Sequence, residues 1–305
     1  MTRVLFVAGS GRSGSTLVTN VLGQADGVLA AGELRYLWQR GAVEDRPCGC
    51  GQSFARCPMW TRVMKEVDAD PAAVAAALRD RLRMRRLPAL LWRRRVEPHP
   101  AVAALYAALG GDLVVDSSKL PPYGLLVDGL PGVEVRVLHL VRDPRATAFS
   151  WRRRRGLDGP GDARLMSRPP VAKAALLWLV WNATAALLWR RSGRYLRVRY
   201  EDFAADPAGV TRRIADFAGV PAVPFDAHTV HLAPTHAVAG NPSRHRTGPT
   251  PVVADDEWVR GLSRPAFALV TAITAPLLWR WRYPLRRAAA GPPAGAPTRA
   301  TGGRG

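Results

Sequence analysis

Arg12, Ser13, Ser15 and Thr16, threaded between Gly9, Gly11 and Gly14, are residue types that hold an anion. Glycine lets the backbone turn sharply and approach a ligand with no Cβ in the way. Arginine adds a rigid fork of donors, and the hydroxyls add short ones. A second cluster, Arg142-Asp143-Pro144 with Ser150 beyond it, brings another arginine and hydroxyl far along the chain. Glu33 and Lys119, between the two clusters, can move a proton or stabilise charge.

These residues need elements to aim them. Residues 4–8 (VLFVA) form an apolar run of the kind expected for a buried strand of a parallel sheet. From Ser15, residues Leu17, Val18, Val21 and Leu22 fall at helical spacing. Strand, glycine turn and helix together point backbone N–H groups and a positive helix end at a phosphate-type group. Residues 133–141 read as another buried strand, and a helix is expected after it, with Asp143 as N-cap and Pro144 at the first helical position. Asp143, Thr147 and Ser150 then share a helical face, Ser150 lying roughly 9–10 Å beyond the cap. Further strands are expected at residues 27–31, 113–115 and 195–198. Glu33 comes just after the first of these, and Asp116-Ser117-Ser118-Lys119 just after the second. Ligands of open parallel sheets bind outside the carboxyl ends of the strands, so these polar residues belong at the crevice.

The first loop alone admits three readings. Residues 9–14 spell G-x-G-x-x-G, with Glu33 at about the distance of a ribose-binding acid. With Ser15 and Thr16 they also form a P-loop that lacks its lysine. Third, R-S-G-S-T at residues 12–16 resembles the 5′-phosphosulfate loop of sulfotransferases that use 3′-phosphoadenosine-5′-phosphosulfate (PAPS). The second cluster favours the third reading, because LVRDPRATAFSWRRR at residues 140–154 resembles the 3′-phosphate site of that family. RYEDFAADP at residues 199–207, with a helix expected over 208–218, resembles a late segment of the same family.

The resemblance spans most of residues 4–283, and is nearest to the carbohydrate and tyrosylprotein branches, which carry arginine and glutamate in these places. It implies a single α/β domain over residues 1–287, a P-loop-like parallel sheet flanked by helices. It implies in-line transfer of a sulfuryl group from PAPS to an acceptor hydroxyl. Gly11, Arg12, Ser13, Gly14, Ser15 and Thr16 would hold the 5′ end of the donor, and Arg142 and Ser150 its 3′-phosphate. Glu33, in a G-E pair at the family's distance from the first loop, would take the acceptor proton. Arg12 would stabilise the departing oxygen, and Lys119 would touch the sulfuryl group. Arg244 or Arg246, in a late polar loop, would close over the 3′-phosphate. No metal is expected in such a reaction, since fixed cations and N–H donors neutralise the charge. A kinase would need a lysine at position 15 and an acidic magnesium site, neither evident here. A basic nucleotide- or nucleic-acid-binding protein without catalysis is the reading from another class.

Composition sets outer bounds. The net charge is +20 in 305 residues, while 48% apolar and 22% charged residues are ordinary for a globular chain. Arginine so outnumbers lysine that part of the arginine count reads as codon bias, and the basic runs lack interleaved stacking aromatics, so no nucleic-acid partner is expected. The acceptor is expected to be a small molecule or glycan: a carbohydrate, glycolipid, tyrosine or secondary metabolite. Residues 171–189 are long and apolar enough to raise a membrane span. They fall between two expected strands, so a core helix is expected, with at most peripheral membrane contact. The first strand starts close to Met1, leaving no room for a signal peptide, and a cytoplasmic location is expected. Residues 71–95 read as one or two basic helices, with Pro88 interrupting them. Cys48, Cys50 and Cys57 would close a zinc site only with a fourth ligand, and no histidine lies near them in sequence. They are expected to be structural thiols in a loop over the acceptor pocket. Residues 288–305, rich in Gly, Pro and Ala, are expected to form a disordered tail.

Overall fold

The apolar run at the start of the chain becomes the middle strand of a five-stranded parallel sheet with strand order β2-β3-β1-β4-β5. The computed structural model describes residues 1–153, 156 and 168–287. In its first half the elements are β1 (Thr2–Gly9), α1 (Ser15–Leu22), β2 (Val28–Gly32), α2 (Pro58–Val67), α3 (Pro71–Arg81), α4 (Leu87–Arg93), α5 (Pro100–Ala108), β3 (Leu113–Lys119) and α6 (Pro121–Asp128). Then come β4 (Val133–Val141), α7 (Pro144–Arg152), α8 (Val171–Trp189), β5 (Tyr195–Arg199), α9 (Tyr200–Ala205) and α10 (Pro207–Ala218). A two-stranded antiparallel pair, β6 (Thr229–Leu232) and β7 (Gly248–Pro251), precedes α11 (Glu257–Gly261) and α12 (Arg264–Arg280). The expected tail lies outside the described residues.

The sheet is buried on both faces, which is why its strands read as unbroken apolar runs. Along β1, Val4, Phe6 and Ala8 point into one core, while Leu5 and Val7 point into the other. The first core is closed by α2, α3, α5 and α6, the second by α1, α9 and α10. β1 pairs with β4 in register from Thr2 to Gly9, so the first loop and the turn after β4 emerge side by side. The chain goes to β2 and β3 on one side of β1 and to β4 and β5 on the other. A crevice therefore opens at the carboxyl end of β1.

α8 is the one helix among the described residues that is long and apolar enough to cross a membrane. It packs on β1, β4, α7 and α12. Oδ1 of its buried Asn182 accepts from His139 Nε2 at 2.8 Å, joining the helix to the underside of β4. Trp178, Asn182, Thr184, Ala185, Leu188 and Trp189 are buried, whereas Trp181 turns to the crevice. Pro88 does not interrupt a helix; it stands in the first turn of α4, where its missing N–H costs nothing.

Candidate functional site

The crevice gathers both arginine-and-hydroxyl clusters into one cleft, with Gly11, Arg12, Arg142 and Ser150 on its walls. Gly14 is the N-cap of α1; its φ of 88° is left-handed, and its missing side chain leaves room for the Tyr200 ring 2.4 Å from an ideal Cβ. No side chain caps this helix, so its N-terminal turn, Ser15 and Thr16 included, faces the cleft with its positive end. Ser13 is fully buried beneath that turn.

Asp143 caps α7 as expected, accepting from Arg145 N at 2.8 Å. Arg142 is thereby fixed at the carboxyl end of β4, only 6% exposed. It donates to the Arg12 carbonyl at 3.3 Å, stacks over Tyr200 at 4.7 Å, and pairs with Asp255 Oδ2 at 3.0 Å. Arg12 itself adopts a φ of 69°, donates to the Ser150 carbonyl at 3.2 Å and lies over Trp151. Its guanidinium is thus turned towards the second cluster.

Lys119 ends β3, with a φ of 66° that folds its side chain back across the crevice. Its Nζ donates to Glu33 Oε1 at 2.8 Å, to Ser15 Oγ at 3.2 Å and to the Ser117 carbonyl at 2.8 Å. Burial works against the Glu33 carboxylate, but Lys119 above all, with Arg35 and Arg40, holds its carboxyl below the usual range. Burial also pulls the Lys119 ammonium below its ordinary value, and Glu33 opposes that shift.

The turn carrying Glu33 is anchored from beneath. Asp116 Oδ1 accepts from the Ser118 N–H at 2.9 Å, and the Ser118 hydroxyl accepts from Arg35 N at 3.0 Å. From the other side, Glu33 N donates to the Val238 carbonyl at 2.9 Å, and Val238 N donates to the Ala31 carbonyl. Asp116 and Ser118 were expected at the ligand face beyond a shorter β3; they lie within the strand and support Glu33 from behind.

Of the two late arginines, Arg246 lines the cleft. Arg244 is buried, donates to the Pro47 carbonyl at 3.2 Å and is not part of the cleft wall, because the turn of residues Pro242–His245 points it inwards. Sequence reasoning missed Asp255, Trp151 and Trp181. Asp255 reaches the cleft from the loop before α11, whereas Trp151 adjoins Ser150 on α7 and Trp181 stands on α8, both helices the sequence does indicate.

The cysteines bring a correction. Spacing offered no histidine near them, yet the fold brings His236 Nδ1 to 3.3 Å from Cys57 Sγ, from 179 residues away in the chain. A fourth donor for a metal is present.

In charge the cleft is lopsided. Arg12, Arg35, Arg40, Lys119, Arg142 and Arg246 line it against the two carboxylates of Glu33 and Asp255. Such a wall focuses potential on a polyanion.

The profile of the sulfotransferase family matches residues 5–224. Carbohydrate sulfotransferase 2 from Mus musculus and from Homo sapiens are each 30% identical over 146 residues, covering 36% of this chain. The match spans 27% of the length of those curated relatives. Among solved structures, the sulfotransferase domain of the Synechococcus PCC 7002 olefin synthase superposes with a TM-score of 0.56 at 24% identity, over 93% of this chain and 96% of that one. The sulfotransferase domain from the curacin biosynthetic pathway superposes with a TM-score of 0.50 at 17% identity, over 91% and 98% of the two chains. These two likenesses are of fold, whereas the family match runs through the first loop, Glu33, Lys119, Arg142 and Ser150; the chain belongs to the sulfotransferase family.

Proposed function

We propose that the protein transfers a sulfuryl group from PAPS to the hydroxyl of a glycan or small-molecule acceptor. The observation that carries this reading is that Arg12, Arg142, Ser150 and the N-terminal turn of α1 line one cleft with Glu33 and Lys119. A donor charged at both ends of an adenosine needs two anion pockets joined by a short wall, and a carboxylate beside one of them.

Each residue has its share of the work. The first turn of α1 and Lys119 take the sulfuryl end, where N–H dipoles and an ammonium stabilise the charge that builds up as the bond to the phosphate oxygen breaks. Arg142, Ser150 and Arg246 hold the 3′-phosphate and so position the donor. Arg12, lying between the two ends, neutralises the departing nucleotide. Glu33, ionised at neutral pH, accepts the acceptor's hydroxyl proton while that oxygen forms its bond to sulfur. Trp181, on the wall beside Glu33, offers an aromatic surface to a sugar or ring, while Tyr36 stacks with Arg35 at 4.1 Å and Arg40 at 3.8 Å. The reaction so drawn uses no metal. Three free thiols suit a reducing, cytoplasmic setting.

Calorimetry with 3′,5′-adenosine bisphosphate, ATP and NAD tests the donor. The bisphosphate is expected to bind at least tenfold more tightly than either of the others, with no change on adding magnesium. Equal or tighter binding of ATP with magnesium would replace this reading with that of a phosphotransferase.

A further inference from the structure

Behind Glu33, outside the cleft, Cys48, Cys50, Cys57 and His236 meet in one cluster. Cys48 and Cys57 are fully buried, and Cys50 and His236 are partly so. Cys50 Sγ lies 3.8 Å from Cys57 Sγ, while His236 Nδ1 lies 3.8 Å from Cys48 Sγ and 3.3 Å from Cys57 Sγ. All four donor atoms fall within 4.8 Å of one another. A zinc ion with Zn–S bonds near 2.3 Å and Zn–N bonds near 2.0–2.1 Å has tetrahedral edges of about 3.8 Å between sulfurs and about 3.6 Å between sulfur and nitrogen. The three distances above lie within about 0.3 Å of these edges before any ion is placed. A disulfide would need two sulfurs about 2.05 Å apart, far closer than the Cys50–Cys57 distance.

The surrounding backbone holds the donors in place. Cys48 N donates to Gln52 O at 2.8 Å, and Gly51 N returns to Cys48 O at 2.9 Å, so a tight turn sets Cys48 and Cys50 on one side. Gly49 lies against the Thr235 carbonyl, 2.6 Å from an ideal Cβ, an approach no other residue permits. Cys57 precedes α2 as its N-cap residue, so the start of that helix fixes where its side chain leaves the backbone. The His236 carbonyl accepts from Trp60 Nε1 at 3.0 Å, and Gly49 N donates to Ala237 O, which fixes the histidine's backbone on both sides.

We propose that Cys48, Cys50, Cys57 and His236 bind one Zn²⁺ through three thiolates and Nδ1 of the imidazole. Four protein ligands leave no open position, so the ion is structural. It ties the loop before α2 to the strand-like segment that ends in Val238, whose N–H and carbonyl pair with Ala31 and Glu33. Zinc therefore braces the turn that presents Glu33 without touching substrate. Binding releases the protons of whichever thiols are still protonated, and the imidazole binds in its neutral form with the proton on Nε2.

The test uses the full chain, purified without chelator and analysed for metal by plasma mass spectrometry. About one zinc per chain is expected, with all three cysteines protected from alkylation until a strong chelator removes the ion. Cobalt(II) added to the stripped chain should give the intense visible absorption of a tetrahedral thiolate site. Cys57→Ser and His236→Ala should each weaken zinc binding by about 100-fold or more. Should either fail to fold, the wild-type chain still decides: stripping should lower its melting temperature, and zinc but not magnesium should restore it. The proposal is overturned by a chain that takes up no zinc or tetrahedral cobalt. Full zinc content in a Cys48→Ser/Cys50→Ser/Cys57→Ser variant, or a Cys50–Cys57 disulfide in the intact mass, would overturn it equally. Because zinc content is read without any turnover, its failure leaves the sulfotransferase reading untouched.

Discussion

Lys119 Nζ stands 2.8 Å from Glu33 Oε1 and 3.2 Å from Ser15 Oγ, so one buried ammonium bridges the proposed base and the first turn of α1. The carboxylate proposed to receive a proton and the helix end proposed to receive an anion are thus held in a fixed relation.

Glu33→Gln keeps an oxygen for Lys119 but cannot accept a proton. Bisphosphate affinity, read by calorimetry, should change less than about threefold. Turnover should fall by about 10²–10⁴, the usual worth of a positioned general base. Turnover near the wild-type rate would remove Glu33 from that role.

Lys119→Met leaves a buried carboxylate without its nearest cation. Losing one partner of a buried pair costs about 3–5 kcal/mol, which chemical denaturation should register. The pH profile gives a second readout. The Glu33 carboxyl is held below its ordinary 4.5, so the wild-type kcat/KM should show no acid limb down to about pH 5. In the variant that limb should move up into the assay range. The sign for stability agrees: with a depressed folded value, the contribution of Glu33 is present above 4.5 and lost as pH falls through the lower folded value.

Asp255 occupies Arg142 at 3.0 Å and is shared with Arg153 at 3.1 Å. A 3′-phosphate held by Arg142 as proposed would compete with that carboxylate. Asp255→Asn should therefore tighten bisphosphate binding several-fold, whereas Arg142→Ala should weaken it by roughly 10- to 100-fold, the worth of a charged hydrogen bond of about 1.5–3 kcal/mol. Calorimetry on both variants checks the pair, and weaker binding in Asp255→Asn would count against Arg142 as the phosphate ligand.

His139, under the sheet, faces Tyr195 Oη across 2.6 Å on one ring nitrogen and Asn182 Oδ1 across 2.8 Å on the other. Burial pushes its pKa down to about 4 from 6.5. The unfolded chain therefore binds more protons than the folded one between those values, and stability should fall as pH drops from about 6.5 towards 4. Melting curves across that window should show the slope, and His139→Gln should flatten it.

Much of the fold is legible because parallel strands buried on both faces write themselves as apolar runs: the run at residues 133–141 has the boundaries of β4. The N-cap at Asp143 and the glycine turn before α1 are legible for the same reason, being local chemistry. Long-range partners are not. Asp255 reaches Arg142 from 113 residues away, and His236 reaches Cys57 from 179, and no period or cap encodes either meeting. The family resemblance makes Lys119 a ligand of the sulfuryl group; its side chain does reach α1, but its shortest partners are Glu33 and the Ser117 carbonyl. Strand β3 runs four residues past its expected end, because Asp116 and Ser118 find their hydrogen bonds within the fold and can be buried.

The stapling of Val238 between Ala31 and Glu33 bears on the order in which substrates arrive. Two residues beyond it, Gly240 and Asn241 begin the wall that ends at Arg246, so one stretch of backbone serves both the nucleotide and the acceptor carboxylate. Because that stretch lines both proposed seats, the kinetics are expected to be sequential with the nucleotide entering first. Product-inhibition patterns should then show the bisphosphate competing with the donor alone and acting non-competitively towards the acceptor.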